Sequence, residues 1–356
     1  MKLKEFHDIL LREDIDVCIL LRSNLNKPDS NITYFSNLDL SDFCCLIIYK
    51  DKPPKVIVPE LELSKSRKIS FIKDIIALNN FWEQIKKYAG KEKKIGINFD
   101  CISISEYKKF KKAFPKSEMV DISKYLDILR RTKTSSEIRK LKEVCRITDE
   151  VIQECFNNVI KFKTEANVVN FLDNEVRKLG LSNSFQTIVA SGKNAAMPHH
   201  LTSMDKLQKG FCVIDFGIRY ENYCSDMTRT LFIGKPSQKE KDVYNLVLKA
   251  QLISIKNSKI GARASDIDKM CRQILGKYGK YFIHGLGHQI GIDVHEGSFR
   301  LSNKCSDILL KNMVFTIEPG IYINNRFGIR IEDTVLLDKT CMPLTKFTKG
   351  LIAIDL

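Results

Sequence analysis

The sequence has 356 residues, of which 44% are hydrophobic and 28% are charged, a composition that is ordinary for a globular protein. This length exceeds that of one average domain, so we expect two domains. No apolar stretch approaches the length of a membrane span, and residues 1–7 predict no signal peptide, so we expect no membrane partner.

The formal net charge of +15 allows two interpretations. One is a nucleic-acid or acidic-surface partner. The other is a lysine-rich surface, because lysines are spread along the whole chain in runs such as 91–94 (KEKK). No aromatic-interleaved basic motif accompanies them, so the sequence favours solvated faces over nucleic-acid binding.

The cysteines indicate the redox environment. There are 11 of them, an odd number, and no CxxC pair occurs. Several lie inside apolar runs, including Cys18, Cys44, Cys45 and Cys212. This pattern is typical of buried reduced thiols and predicts a cytoplasmic location.

The first part of the chain predicts a small α/β unit. An amphipathic start at residues 6–10 is followed by short apolar runs at 17–21, 31–35, 43–49 and 56–58, which we interpret as strands. It contains no phosphate-binding loop and no titratable cluster, so we expect a scaffold.

A helix is predicted to begin after Thr134, which can form a capping box with Glu137. Apolar residues then recur with helical spacing from Ile138 to Cys155. We place the domains at 1–125 and 126–356, and expect the second to alternate helices with strands.

Carboxylates occur in apolar strands of the second domain. Asp215 lies in 211–217 (FCVIDFG), and Asp226 follows eleven residues later. A turn through 220–222 would bring the two side by side, and adjacent buried carboxylates repel unless a cation lies between them.

Three of the six histidines fall within 284–296 (HGLGHQIGIDVHE). Glu318 then ends an apolar strand, and 328–334 (GIRIEDT) predicts another strand with Arg330 and Glu332 on one face. Each feature alone is weak, but together they suit a pair of divalent ions such as Mn²⁺ or Co²⁺, with Zn²⁺ and Fe²⁺ as alternatives.

These segments resemble the pita-bread metallopeptidases, which include Xaa-Pro dipeptidase (prolidase), Xaa-Pro aminopeptidase, creatinase and methionine aminopeptidase. The resemblance covers nearly the whole chain. It implies an α+β fold, with a small N-terminal α/β creatinase-like domain before a pita-bread catalytic domain. It also implies a homodimer.

The resemblance implies a role for each matching residue. Two metal ions would be bound by Asp215, Asp226, His288, Glu318 and Glu332. Asp226 and Glu332 would bridge the ions, and Glu318 would also take the proton from the attacking water. The catalytic histidines would be His199 and His295, while His284, Arg300 and Arg330 would lie on the substrate side or steady a ligand.

The implied activity is hydrolysis of the bond between an N-terminal residue and proline. A dipeptidase should bind the free carboxylate of the proline, and Arg300 is the candidate for that contact. Arg300 as a surface loop charge is the open alternative, and it goes with an Xaa-Pro aminopeptidase that acts on tripeptides and longer peptides.

Three features depart from the familiar pattern: residues 297–299 (GSF) before Arg300, which would allow an alignment shift of one residue there, His200 after His199, and Gln289 after His288. His200 could alter the substrate pocket or the pKa of its neighbour. A non-catalytic binding module of the same fold is a third hypothesis, but the complete set of ligand-type residues argues against it.

Overall fold

A computed structural model describes residues 2–22, 29–40 and 42–355. These residues divide into two compact units, Met1–Arg130 and Arg131–Leu356. The boundary expected at 125/126 lies inside the helix Ser123–Arg131. In the described part of the chain, no helix is both long enough and apolar enough to cross a membrane.

The N-terminal unit alternates helices and strands, as its short apolar runs predict. Its elements in the described ranges are α1 (Leu3–Arg12), β1 (Val17–Arg22), α2 (Ser30–Ser36), β2 (Cys44–Tyr49), β3 (Lys55–Val58), α3 (Glu60–Ile69), β4 (Asp74–Ala77), α4 (Phe81–Ala89), β5 (Lys94–Ile97), α5 (Ile104–Ala113), β6 (Glu118–Asp121) and α6 (Ser123–Arg131). The strands form one mixed sheet in the order β4-β3-β2-β1-β5-β6. Buried aliphatic and aromatic side chains pack against it and form the core of this unit.

The prediction of a strand at residues 31–35 was wrong, because this segment is helix α2. Its β-branched and aromatic residues favour a strand. However, the Asp29 side chain accepts a hydrogen bond from the Asn31 backbone N–H and caps a helix there. Asn37 ends the helix in the left-handed conformation, with φ of 64°. The other three apolar runs are confirmed as strands β1, β2 and β3.

The C-terminal unit is larger and carries several small sheets. Its described elements are α7 (Ser135–Asn158), α8 (Glu165–Lys178), β7 (Ser182–Asn183), β8 (Ile188–Ser191), β9 (Gly210–Phe216), β10 (Ile218–Tyr220), β11 (Tyr223–Cys224), β12 (Met227–Ile233), α9 (Gln238–Asn257), α10 (Ala264–Leu275), β13 (Gly287–His288), β14 (Arg300–Leu301), β15 (Met313–Ile317), β16 (Gly320–Ile323), β17 (Phe327–Arg330), β18 (Asp333–Leu337), β19 (Cys341–Pro343) and β20 (Ala353–Ile354). Short 3₁₀ turns occur at Val159–Lys161, Asn194–Ala196 and Gly276–Tyr281.

The helix predicted after Thr134 is confirmed as α7. The Thr134 hydroxyl accepts a hydrogen bond from the Glu137 backbone N–H, and the Glu137 carboxylate accepts one from the Thr134 backbone N–H. The C-terminal unit also contains a four-stranded sheet in the order β20-β12-β9-β8 and a three-stranded sheet in the order β15-β18-β19. A large buried apolar cluster supports these sheets, and the strand ends carry the polar residues described below.

Residues 328–334 do not form the single strand predicted for them. β17 pairs with β16 and ends at Arg330, whereas β18 begins at Asp333 and pairs with β15. Between them, the Glu332 backbone N–H donates to the carbonyl oxygen of Thr228. The chain therefore passes from one sheet to another at Ile331 and Glu332, which the alternating sequence pattern does not reveal.

Candidate active site

Asp215 and Asp226 are brought together by a twisted hairpin. β9 and β12 are antiparallel, with Asp215 opposite Thr228, and Asp226 immediately precedes β12. The turn between them runs through Glu221 and Asn222, whose φ angles are 45° and 70°. Two successive left-handed residues suit the twist of a tight hairpin. The turn predicted from the sequence is thus confirmed.

Three side chains from distant segments converge beside this hairpin. Ligand-type atoms of Asp226, His288 and Glu332 all lie within 4.8 Å of one another. The Nε2 atom of His288 is 3.4 Å from Oδ2 of Asp226 and 3.6 Å from Oε1 of Glu318. Glu318 follows β15 and donates its backbone N–H to the carbonyl of Leu286, which fixes it next to the His288 strand.

Arg330 joins Asp215 to the same cluster. One terminal nitrogen of its buried guanidinium, Nη2, donates to Oδ2 of Asp215 at 2.6 Å, and Nη1 donates to the Tyr322 hydroxyl at 2.9 Å. The Thr228 hydroxyl donates to Oε2 of Glu332 at 2.6 Å. These hydrogen bonds fix the orientation of two of the carboxylates.

A cavity of about 640 Å³ opens above the cluster. His199, His284, His295 and Arg300 all line it. Burial and the charge of Arg330 lower the pKa of His284 to about 3. Burial and the charge of a protonated His288 lower that of His295 to about 4. Both rings are therefore neutral near pH 7, and each can donate one hydrogen bond.

Arg300 lies in the cavity wall, opposite His288 in the pairing of β13 with β14. Its Nη1 atom donates to the backbone carbonyls of Gly297 and Phe299, at 3.0 and 2.8 Å. The Nη2 and Nε atoms make no hydrogen bond with another described residue. The guanidinium is thus fixed through Nη1 alone, and the N–H groups of Nη2 and Nε can donate to a ligand.

His200 and Gln289, which depart from the familiar pattern, are not among the residues that line the cavity. The ring of His200 contacts Glu165, with 2.7 Å between Nε2 and Oε2. The buried side chain of Gln289 donates to Glu296 at 3.0 Å. His200 and Gln289 therefore contact Glu165 and Glu296, two buried carboxylates outside the cavity lining.

Comparison with known proteins agrees with this geometry. Residues 139–339 match the model of metallopeptidase family M24, and residues 2–132 match that of the creatinase/prolidase N-terminal domain. The chain belongs to metallopeptidase family M24. Its predicted α+β fold, a creatinase-like domain before a pita-bread domain, is confirmed.

Relatives of this M24 chain include an Xaa-Pro dipeptidase of Pyrococcus furiosus, 33% identical over 90% of this chain and 92% of the relative. Among solved structures, the prolidase of Pyrococcus horikoshii has a TM-score of 0.90 and 30% identity over 99% of each chain. An X-Pro aminopeptidase of Thermotoga maritima has a TM-score of 0.88 and 31% identity, over 96% of this chain and 98% of that one.

The carboxylates of this M24 chain fit divalent metal ions. Burial raises the pKa of Asp226 to about 6 and that of Glu318 to about 7, and burial with the neighbouring carboxylates raises the pKa of Glu332 well above its usual value. The Oδ1 atoms of Asp215 and Asp226 are buried and have no hydrogen-bond partner among the described residues. Buried acceptors that repel one another and lack donors are what a cation would satisfy.

Sequence reasoning gave no role to Tyr322, Thr228 or Glu165. Thr228 shares strand parity with Asp226, and this alternation could have shown that both face the site. Tyr322 lies within hydrogen-bond distance of both His284 and Arg330. Glu165 has no local signal, because its side-chain partners Ser191, Asn194 and His200 lie more than twenty-five residues further along the chain.

Proposed function

We propose that this protein is a metal-dependent peptidase that hydrolyses the bond between an N-terminal residue and a following proline, and that Xaa-Pro dipeptides are its main substrates. The observation that carries this proposal is that five side chains able to bind metal and three further histidines converge on one cavity. The names of its relatives, Xaa-Pro dipeptidase and prolidase, support the same substrate class.

The metal centre we propose contains two divalent ions, Mn²⁺ or Co²⁺, with Zn²⁺ and Fe²⁺ as alternatives. Asp226 and Glu332 would contact both ions, as the family resemblance implies, and with His288 their ligand atoms lie within 4.8 Å of one another. Asp215 would complete one site, and His288 with Glu318 the other. When bound, such a pair lowers the pKa of water and polarises a carbonyl group.

The protein's own groups then have distinct tasks. A carboxylate oxygen of Glu318 accepts the proton of the attacking water. His199 and His295 line the cavity, and an imidazole N–H group can donate a hydrogen bond to the oxyanion that develops on the scissile carbonyl. His284 borders the proline end of the substrate. Arg330 holds Asp215, so that its free oxygen stays directed at the ions.

Proline at the second position also has a physical rationale. An Xaa-Pro bond has no N–H group, so peptidases that grip this group cannot hold it. A site that holds the carbonyl and the free amine through metal ions needs no such donor. The free carboxylate of a dipeptide would then meet Arg300, whose unengaged nitrogens can form a fork around it.

One observation favours a second candidate, an Xaa-Pro aminopeptidase that cleaves longer peptides. A neighbouring cavity of about 340 Å³ shares His284, Gly285 and Ser302 with the main cavity. Lys304, which is exposed, also lines this second cavity. A residue beyond proline could extend in this direction and place its carboxylate near the lysine.

The test is a paired assay on protein loaded with Mn²⁺ or Co²⁺, with Met-Pro, an Xaa-Pro-Xaa tripeptide and Met-Ala as substrates. We expect Met-Pro to be cleaved fastest and Met-Ala hardly at all. Faster cleavage of the tripeptide would establish the aminopeptidase. Absence of cleavage of both proline peptides, with two ions per chain verified by elemental analysis, would refute a proline-specific peptidase.

We also propose a reducing, cytoplasmic environment and a homodimeric assembly. Burial raises the pKa of the Cys44 and Cys212 thiols, and a raised thiol pKa disfavours oxidation. Light scattering at two protein concentrations tests the dimer, and a monomer at both would exclude it.

A further inference from the structure

A tight turn presents His199 to the cavity. The His200 backbone N–H donates to the carbonyl of Met197 at 3.2 Å, which closes a four-residue turn with Pro198 at its second position. His199 is exposed, and its ring makes no hydrogen bond with another described residue. Its orientation therefore depends on how the turn itself is held.

His200 holds this turn from the opposite side. Its ring is only 8% exposed, and its Nε2 atom lies 2.7 Å from Oε2 of Glu165. Successive side chains of the turn thus diverge: His199 is directed to the cavity, and His200 to the interior of the C-terminal unit.

Glu165 is the first residue of α8, and its side chain is fully buried. Its other oxygen, Oε1, accepts hydrogen bonds from the backbone N–H and hydroxyl of Ser191 and from the Asn194 amide, at 2.7, 2.9 and 3.0 Å. Among the described residues, only His200 donates to Oε2. Because an unsatisfied buried carboxylate is costly, this bond is strongly favoured.

The cavity side of the turn has a weaker attachment. Nη1 of Arg330 lies 3.5 Å from the carbonyl oxygen of Pro198, at the outer limit of a hydrogen bond. Of these two attachments, the contact between His200 and Glu165 is the shorter, at 2.7 Å.

We propose that His200 is a positioning residue, which uses the buried carboxylate of Glu165 to hold the His199 ring over the cavity. The proposal rests on the proposed function in one respect, namely that His199 contacts the substrate. His200 itself touches neither substrate nor metal.

The first test compares His200→Leu, which loses the donor, with His200→Gln, which keeps an amide N–H at a similar reach. We expect His200→Leu to lower kcat for Met-Pro roughly 10- to 100-fold with little change in KM, because small misplacements of a catalytic group have effects of this size. His200→Gln should restore most of the rate. If Leu prevents folding, His200→Asn, which is polar but too short to reach Glu165, takes its place.

The decisive arm is a double-mutant cycle with His199→Ala. If His200 acts through His199, the His200 substitution should change the rate less than about twofold once the His199 ring is absent. An equal loss in both backgrounds would overturn the proposal. Thr164→Ala is the matched control, since the Thr164 hydroxyl accepts the backbone N–H of Asn167 and, in the described part of the chain, makes no hydrogen bond with the side chains of Glu165 or His200, so the substitution should leave kcat unchanged.

A crystal structure of the metal-loaded His200→Leu variant provides a readout independent of activity. We expect the His199 ring to be displaced or disordered, with the five ligand-type residues unmoved. A His199 ring in its original place would overturn the proposal, even if the parent enzyme cleaved no Xaa-Pro peptide. Failure of the parent to cleave such peptides, with His199 displaced in the variant, would refute only the proposed function.

Discussion

Lys133 and Glu296 form a buried ion pair with 2.6 Å between Nζ and Oε2, and their side chains are only 0% and 3% exposed. Glu296 follows His295 directly. Its Oε1 atom accepts the backbone N–H of Ile292, and its Oε2 atom accepts the side-chain amide of Gln289. This carboxylate therefore closes the loop that carries His295, much as Glu165 anchors the turn of His199.

We predict that Lys133→Met destabilises the protein by about 3–5 kcal/mol, because it removes the cation that lies 2.6 Å from the buried Glu296 carboxylate. Urea unfolding measures this change. The double variant Lys133→Met/Glu296→Gln should recover a large part of the loss, since it also removes the negative charge of the buried carboxylate.

The control for this pair is Arg146→Met on α7. Arg146 forms an ion pair with Glu143 at 2.7 Å, but their side chains are 54% and 41% exposed. Its loss should cost less than about 1 kcal/mol. Equal effects of the buried and the exposed substitution would contradict the role given to Lys133.

The acidic cluster predicts an unusual pH dependence of stability in the metal-free protein. Burial raises the pKa of Asp226 to about 6 and that of Glu318 to about 7, above their ordinary values in an unfolded chain. Between about pH 4 and pH 7 the folded state thus binds more protons at these groups than the unfolded state does. Their contribution to the free energy of unfolding therefore falls as the pH rises through this window.

We expect the titration of each group to lower the free energy of unfolding by on the order of 1–3 kcal/mol across this pH window. Thermal unfolding of the apoprotein from pH 4.5 to 8, compared with Glu318→Gln, measures it, since the variant lacks one of the titrating groups. The difference in stability between variant and parent should grow in favour of the variant as the pH rises. A constant difference would contradict the raised pKa of Glu318.

Metal binding should reverse this destabilisation. We predict two Mn²⁺ per chain, and about 2.7 kcal/mol of added stability at a free metal concentration 100 times Kd. Asp226→Asn and Glu332→Gln should each bind fewer than two Mn²⁺ ions per chain, and the activity of each should fall at least about 100-fold. Asp149→Asn is the control, because Asp149 accepts hydrogen bonds from the Lys346 and Phe347 backbone and lies outside the cluster. Loss of metal from this control as well would point to general unfolding.

Local signals explain how much of this fold is predictable from the sequence. The capping box of Thr134 and Glu137 and the hairpin turn at Glu221 and Asn222 are encoded within a few residues, and both were predicted. The helix α2 was missed because the cap at Asp29 favours a helix, whereas the β-branched and aromatic residues that follow it favour a strand. Residue propensities alone do not show which of the two preferences prevails.

Long-range polar contacts were beyond prediction for a different reason. Lys133 meets Glu296 across 163 residues, and Glu165 meets His200 across 35. Hydrophobic periodicity carries no information about such pairs. The candidate ligands could be selected because carboxylates in apolar strands are individually anomalous, whereas Glu165, at the start of an amphipathic helix, looks like an ordinary solvated residue.

The final prediction separates the two peptide-length preferences through Arg300 and Lys304. Arg300→Ala should raise KM for Met-Pro roughly 10- to 100-fold, because a charge-assisted hydrogen bond to the proline carboxylate contributes about 1.5–3 kcal/mol. Arg300→Lys should restore only part of this, since an ammonium lacks the planar fork. The KM for an Xaa-Pro-Xaa tripeptide should change less than about threefold in either variant, because its carboxylate lies one residue further along.

Lys304→Ala is the matched substitution, and it should show the opposite pattern if longer peptides extend into the second cavity. The KM for Met-Pro should hardly change, whereas the KM for the tripeptide should rise by roughly three- to tenfold. This effect is modest because salt screens the attraction between an exposed lysine and a carboxylate. Amidating the tripeptide's C-terminus should abolish that difference. Equal effects of Arg300→Ala on both substrates would place the guanidinium in the cavity wall as a structural group, held by Gly297 and Phe299, and remove it from substrate selection.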